Sequence, residues 1–356
     1  MQFTGPLMAK GVEDTLMYTY SRFIGHNEVG DAPEAFGMSI DTFHEHMKER
    51  QEKWPLSING TATHDTKRGE DARARLNAIS TIGKDWILQV SNWQELNNKH
   101  KQNNYPDPED EYFIYQTLAG SYPLPGQDTS TYEERLHAFL EKALREAKKH
   151  SDWAKPNEAY EDAVKSFTSA ILNESSDFYA SFKSFQQKIV DSGIINSLGQ
   201  VLLKFTCPGV PDVYQGCEQW DLSFVDPDNR RPVDYTTQED WLETIISGKE
   251  DEQQLWQERY TGKIKLWLTN TLLQLRKQDP LCFSSGEYLP VEVKGAYKEQ
   301  VIAFERKFKD RSYLTIVPLA LPEFQTGTID DFASLDWKDT RISLPTDVIK
   351  CANVLV

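Results

Sequence analysis

Apolar residues recur at helical spacing through most of the chain and change to strand-like alternation only near its end. Residues 7–25 read as a helix entered just after Pro6, followed by a loop rich in Asp, Pro and Gly over Gly30–Gly37. A second, largely polar helix starts where Ser39 and Thr42 offer caps and ends near Lys53, where Trp54-Pro55 stops it. Leu56 to Thr61 is short and mixed apolar and polar, and reads as a strand. The polar turn THDTKR and a charged helix from about Gly69 to Ser80 follow at once, making a strand, loop, helix unit. From residue 85 to 203 the period is almost wholly helical, with segments at 85–101, 109–120, 131–149, 157–174 and 178–204. Pro106, Pro108, Pro123, Pro125 and Pro156 mark the connections. Residues 204–234 hold a turn (CPGVP), a short strand centred on Val213 and Tyr214, and the polar loop EQWDLSFVDPDNRRPVD. Helices resume at 238–247 and 252–278, and beyond Pro280 the alternation of VIAFERKF and SYLTIVPL predicts a small antiparallel β-domain. The class is therefore α/β and predominantly helical. The texture changes divide the chain into 1–84, a helical subdomain 85–203, a loop-bearing segment 204–279 and the β-domain 280–356.

Composition narrows what such a chain can do. A length of 356 residues is ample for a sizeable core. Its longest apolar runs, such as Val201 to Leu203, fall far short of the roughly 20 residues a membrane span needs. The residues after Met1 lack the basic and apolar regions of a secretory signal, and Gln2 to Pro6 reads as a turn inside a larger protein. Cys207, Cys217, Cys282 and Cys351 form no CxxC pair and no zinc spacing, which fits a reducing cytoplasm. His44 and His46 sit two apart, where a helix points them away from each other, so they are expected on the surface and not as metal ligands. A net charge of -16 repels nucleic acid and anionic membranes and favours a neutral or cationic ligand. Nine Trp, 15 Tyr and 17 Phe are expected mostly in the core, with some left to offer flat apolar faces to sugar rings.

Three places could carry chemistry. His64 and Asp65 follow the Leu56 to Thr61 strand, at the edge where parallel-strand barrels present catalytic groups. An aspartate there can cap the next helix, or it can hold sugar hydroxyls with bonds that tighten as the ring flattens toward an oxocarbenium-like state. VDPDNRRPVD, residues 225–234, can be a rigid surface loop fixed by Pro227 and Pro232. It can equally be a hydrogen-bonding rim in which adjacent arginines orient carboxylates or sugar hydroxyls. In MAKGVEDT, Lys10, Glu13 and Asp14 lie within one or two helical turns, where ordinary i, i+3 or i+4 pairing also explains them. The chain has no recognisable Ser/His/Asp nucleophile arrangement, P-loop or dinucleotide fingerprint, and nothing in it calls for a metal or other cofactor.

In order along the chain, QFTGPLMAKGVEDT, YTYSRFIGHNEVGDAPEAFG, THDTKRGEDARARL, EYFIYQTLAGSYP and TCPGVPDVYQGCEQWDLSFVDPDNRRPVD resemble the C-terminal portion of maltooligosyl trehalose synthases, down to about residue 280. THD also resembles the α-amylase clan's His-Asp motif after the seventh barrel strand, and PGVPDVYQGCE its eighth-strand motif. The resemblance implies the C-terminal part of a (β/α)₈ barrel. It implies an isomerase that rebuilds the reducing-end α-1,4 linkage of a maltooligosaccharide as α,α-1,1. Asp65 matches the transition-state-stabilising carboxylate, His64 the sugar-binding histidine beside it, and Lys10 a lysine near the acceptor side. Tyr214, Gln215, Asp228, Asn229 and Arg230 match motifs that line the substrate cleft. In this family the nucleophilic aspartate and the acid/base glutamate lie on earlier strands, and no segment here matches either. The missing N-terminal barrel half is thus the implied partner of this chain, which alone is expected to be inactive, because retaining chemistry needs two carboxyl groups about 5 Å apart. Two rival readings remain at this point: an α-glucan hydrolase of the same clan and a non-catalytic glucan-binding or scaffold protein.

Overall fold

A computed structural model describes residues 4–32, 35–248, 251–321, 327–331, 335–344 and 352–353. Cys351 and Met1 lie outside these. The chain divides into two compact units, one of residues 1–36, 64–193 and 222–231, the other of residues 37–63, 194–221 and 232–356.

The first unit is helical. The expected segments form as helices at Glu70–Thr81, Gly83–Asn97, Pro108–Ser121, Tyr132–Ala147 and Glu158–Leu172, with Asp177–Thr206 beginning in this unit and ending in the second. Local chemistry sets their starts. Asp107 accepts from the amides of Glu109 (3.0 Å) and Asp110 (2.9 Å), with Pro108 filling the first helical position, and Asn157 accepts from the amide of Tyr160. The helices close on an aromatic core around Trp93, which is fully buried with Tyr115, Phe178, Phe182 and Phe185 set about its ring. Its indole N–H donates to the Ser181 hydroxyl at 3.0 Å, so the polar atom of this ring is satisfied. At the N-terminal end the helix runs only from Thr4 to Thr19, most of it with the wider i→i+5 turn. The expected continuation to residue 25 fails because Asn27 ends the helix: its side-chain amide donates to the carbonyls of Met17 (2.8 Å) and Tyr20 (2.6 Å).

In the second unit, strands β1 (Ile58–Asn59) and β2 (Val210–Pro211) pair in parallel. The strand expected at Val213 and Tyr214 therefore lies three residues earlier. The amides of Val210 and Asp212 find the carbonyls of Ser57 and Asn59 at 2.8 and 3.0 Å, whereas Tyr214 opens a turn closed by the Cys217 amide. Gly209, at φ +128°, makes the register possible, since a Cβ there would stand 2.5 Å from the Asn59 side-chain oxygen. β3 (Glu287–Pro290), β5 (Val301–Phe308) and β6 (Arg311–Pro318) form an antiparallel sheet in that order, and β4 (Val293–Lys294) pairs with β7 (Arg341–Ile342). The sheet packs Tyr288, Ile302, Phe304 and Val317 into a small core with Cys207. The buried Arg306 donates to the carbonyls of Thr206, Phe283 and Gly286.

Two further expectations change. The helix foreseen over 252–278 breaks into Glu252–Gln257 and Lys263–Gln278, because Gly262 turns at φ +100° where its backbone meets Gln219 and Trp220. His44, expected at the surface, is buried, and its Nδ1 lies 2.7 Å from the Tyr288 hydroxyl. A partner 244 residues away makes its burial tolerable, which no local pattern reveals.

Candidate active site

His64, Asp65, Lys10, Asp228, Asn229 and Arg230 all belong to the first unit, and Tyr214 and Gln215 to the second. His64 and Asp65 are exposed, while every residue from Thr66 to Glu70 is buried. The helix that follows is capped at Gly69, with Glu70 and Asp71 in its first turn, so Asp65 is not its cap residue. That removes the structural reading that competed with a chemical role for Asp65.

The turn is held through its backbone. The His64 carbonyl accepts from the Asn229 side-chain amide at 3.2 Å and from the Arg230 guanidinium at 3.2 and 3.4 Å. Further on, the Gly69 amide donates to the Ser223 carbonyl at 2.9 Å, and Arg68 pairs with Phe224 as an isolated antiparallel bridge. The loop over residues 222–231 thus lies along the turn and grips both its ends.

That loop is itself fixed by one helix. Arg135 and Lys142, two turns apart on Tyr132–Ala147, reach Asp228 and Asp226 respectively. Arg135 binds Asp228 with both arms of its fork, at 2.7 and 2.8 Å, and Asp228 also accepts from the Phe224 amide at 2.8 Å and from Arg231 at 2.9 Å. Burial pushes the Asp228 carboxyl up, but Arg135, the Phe224 amide and Arg231 outweigh it and leave the group below the ordinary carboxylate range. Its oxygens are committed to anchoring the loop, and the neighbours Asn229 and Arg230 are what the loop presents to the His64 turn.

On the other side lies the helix carrying Lys10. Its ammonium pairs with Asp14, and Asp14 bonds Lys67 Nζ at 2.9 Å, so two cations share one carboxylate beside the turn. The hydrogen bond and charge of Asp14 raise the Lys10 pKa, with smaller contributions from Glu146 and Asp65. Of the i, i+3 and i, i+4 pairings open from the sequence, the i, i+4 pair Lys10–Asp14 is present, and through Lys67 it is tied to the turn.

A residue not singled out from the sequence completes the site. Glu28, in NEVG, is buried and accepts the Lys67 amide on both oxygens, at 2.8 and 2.9 Å, and the Arg68 amide at 3.3 Å. Because its hydrogen-bond donors here are main-chain amides, no side-chain pattern signals them. Elsewhere, Asp107, Asp110 and His150 bring potential metal ligands together, but Asp107 caps a helix and pairs with Lys149 and His150 at 2.6 Å each. Burial would raise Asp107, yet the Asp110 amide, Lys149 and His150 hold it down to about 2. This cluster is a fastening of the helical unit.

No protein-family model matches the chain. Several solved structures that share its fold are named as maltooligosyl trehalose synthases. The maltooligosyltrehalose synthase of Arthrobacter ramosus superposes over 90% of this chain and 39% of its own, with a TM-score of 0.76 at 32% identity. A hypothetical maltooligosyl trehalose synthase of Sulfolobus tokodaii gives 0.74 at 36% identity over 89% of this chain and 41% of its own. A Mycobacterium tuberculosis protein named for maltooligosyl trehalose synthase activity is 36% identical over 310 residues, 86% of this chain. Over most of its length the chain is similar to maltooligosyl trehalose synthases, and it spans 37% of the length of that Mycobacterium relative. Among the described residues no helix is long and apolar enough to cross a membrane.

Proposed function

We propose that this chain supplies the transition-state-stabilising part of a synthase that converts the reducing-end α-1,4 linkage of a maltooligosaccharide into a terminal α,α-1,1 linkage. The observation that carries this reading is the exposed Asp65, on a buried and backbone-clamped turn beside the Lys10–Asp14–Lys67 chain of charges. A carboxylate so fixed opposes the positive charge that develops on the sugar ring as the glycosidic bond breaks, without having to reorganise. In this reading His64, Asn229 and Arg230 bind hydroxyl groups around that ring, and Lys10 holds the released glucose. Retaining the glucose lets its own anomeric hydroxyl, rather than water, take the glycosyl group. Tyr214 and Gln215 are assigned to the same cleft by their motif.

In this reading the nucleophile and the acid/base come from earlier strands of a (β/α)₈ barrel, of which β1 and β2 represent the last strands. The chain alone then performs no glycosyl transfer. The test uses this chain within a polypeptide of full family length, given maltohexaose, with trehalose-ended product and new reducing sugar measured separately. Asp65→Asn is expected to lower kcat by on the order of 10³-fold while leaving the melting temperature unchanged, because the side chain is exposed. Wild-type turnover in that variant would overturn the assignment, and reducing sugar as the main wild-type product would favour a hydrolase.

A further inference from the structure

Glu28 is a buried carboxylate whose position the transglycosylation chemistry does not itself require. Its segment, residues 24–29, is also fastened by Arg68, whose guanidinium donates to the carbonyls of Ile24 (3.2 Å) and Asn27 (3.4 Å). Both Glu28 oxygens converge on one amide, that of Lys67, and one of them also takes the amide of Arg68. A second cation, Arg73, stands 3.6 Å away. An ionised carboxylate accepting amides in a dry setting makes stronger bonds than a neutral acceptor would. It also takes the amide of its neighbour Val29 at 2.9 Å, and the two distant amides it holds are the second and third after Asp65.

We infer that Glu28 is a positioning residue for the reaction: it fixes the trailing end of the His64–Arg68 turn by its backbone, as Asn229 and Arg230 fix the leading end, and so sets where the Asp65 carboxylate stands. This rests on the role given to Asp65 above. Neither clamp acts through the Asp65 side chain, so removing one shifts the carboxylate without replacing it. A displacement of the order of 1 Å at a reacting centre costs on the order of 10²-fold in rate. The loss falls on kcat, because an interaction that counts only in the transition state is weakened.

The experiment compares Glu28→Gln and Glu28→Ala with wild type in the family-length polypeptide, with maltohexaose as substrate and rates expressed per folded molecule. Glu28→Gln keeps one acceptor oxygen and is expected to lose about tenfold in kcat, Glu28→Ala on the order of 100-fold, with KM within about twofold in both. In an Asp65→Asn background, Glu28→Gln is expected to cause no further loss, because it acts through that carboxylate. Wild-type kcat in Glu28→Gln overturns the inference, as does a loss that only tracks the folded fraction, a loss confined to KM, or a further tenfold loss on top of Asp65→Asn. If Glu28→Ala does not fold, Glu28→Gln still decides. Full activity in Asp65→Asn would instead sink the role of Asp65 itself, whatever the Glu28 variants do.

Discussion

Replacing Asp228 with Asn asks whether one carboxylate holds the loop that grips the His64 turn. The side chain is 10% exposed and takes two bonds from Arg135, one from the Phe224 amide and one from Arg231. Asparagine preserves the shape but turns an amide donor toward one of these donors and leaves Arg135 without its counter-charge. Breaking a buried ion pair costs about 3–5 kcal/mol, and because the Arg135 side chain is 20% exposed and can be partly rehydrated, about 2–3 kcal/mol is expected here. The carboxyl is held below its unfolded value of about 3.9, so its contribution is fully present above that value and disappears as pH falls through the folded one. Urea unfolding followed by the fluorescence of Trp86 and Trp93, both buried in the first unit, reads the effect. The gap between wild type and variant should be widest near neutrality and close in strong acid. A neutral-pH gap under about 0.5 kcal/mol, the worth of an ordinary surface pair, would refute the reasoning, and so would a gap that persists once the carboxyl is protonated.

Two further outcomes concern the second unit. Burial lowers the His44 imidazole, Asp41 opposes the shift and Lys48 adds to it, so the unfolded chain binds a proton that the folded one does not. Stability should therefore rise with pH up to about 6.5, and His44→Gln, which still offers the Tyr288 hydroxyl a partner, should flatten that slope in calorimetric scans. Gly209→Ala should cost about 2 kcal/mol or more, because the left-handed backbone and the 2.5 Å approach to Asn59 leave no room for a methyl group. A melting temperature within a degree or so of wild type would show that β1 and β2 can shift to accept it.

What could be foreseen followed the range over which each feature is determined. Helices such as Pro108–Ser121 and Glu158–Leu172, and strand β5, are specified by their own periodicity and caps, and appear within a residue or two of where pattern puts them. The misplacements arise where distant backbone intrudes. Gly262 breaks a helix against Gln219 and Trp220, β2 is set by Ser57 and Asn59, and His44 is buried by Tyr288. The site divides in the same way. Asp65, Lys10 and the 225–234 loop stand out by residue type and position, and Asp14 by its spacing from Lys10. Glu28 does not, because the donors it takes from the turn are amides 39 and 40 residues on, and an amide carries no signature of the residue it belongs to. Nor does spacing show that Asp228 spends its charge on Arg135, 93 residues away.

The anchoring of the His64–Arg68 turn through main-chain atoms has an evolutionary corollary. A loop whose shape is dictated by its carbonyls and amides is indifferent to which side chains ride on its exposed positions. Residues 64 and 65 are therefore a site where new chemistries can be sampled without renegotiating foldability. A saturation library over these two codons should yield proteins that express and remain soluble almost regardless of identity, with selection acting on turnover alone. The same library over Glu28, Asp228 or Arg135 should be filtered first by expression.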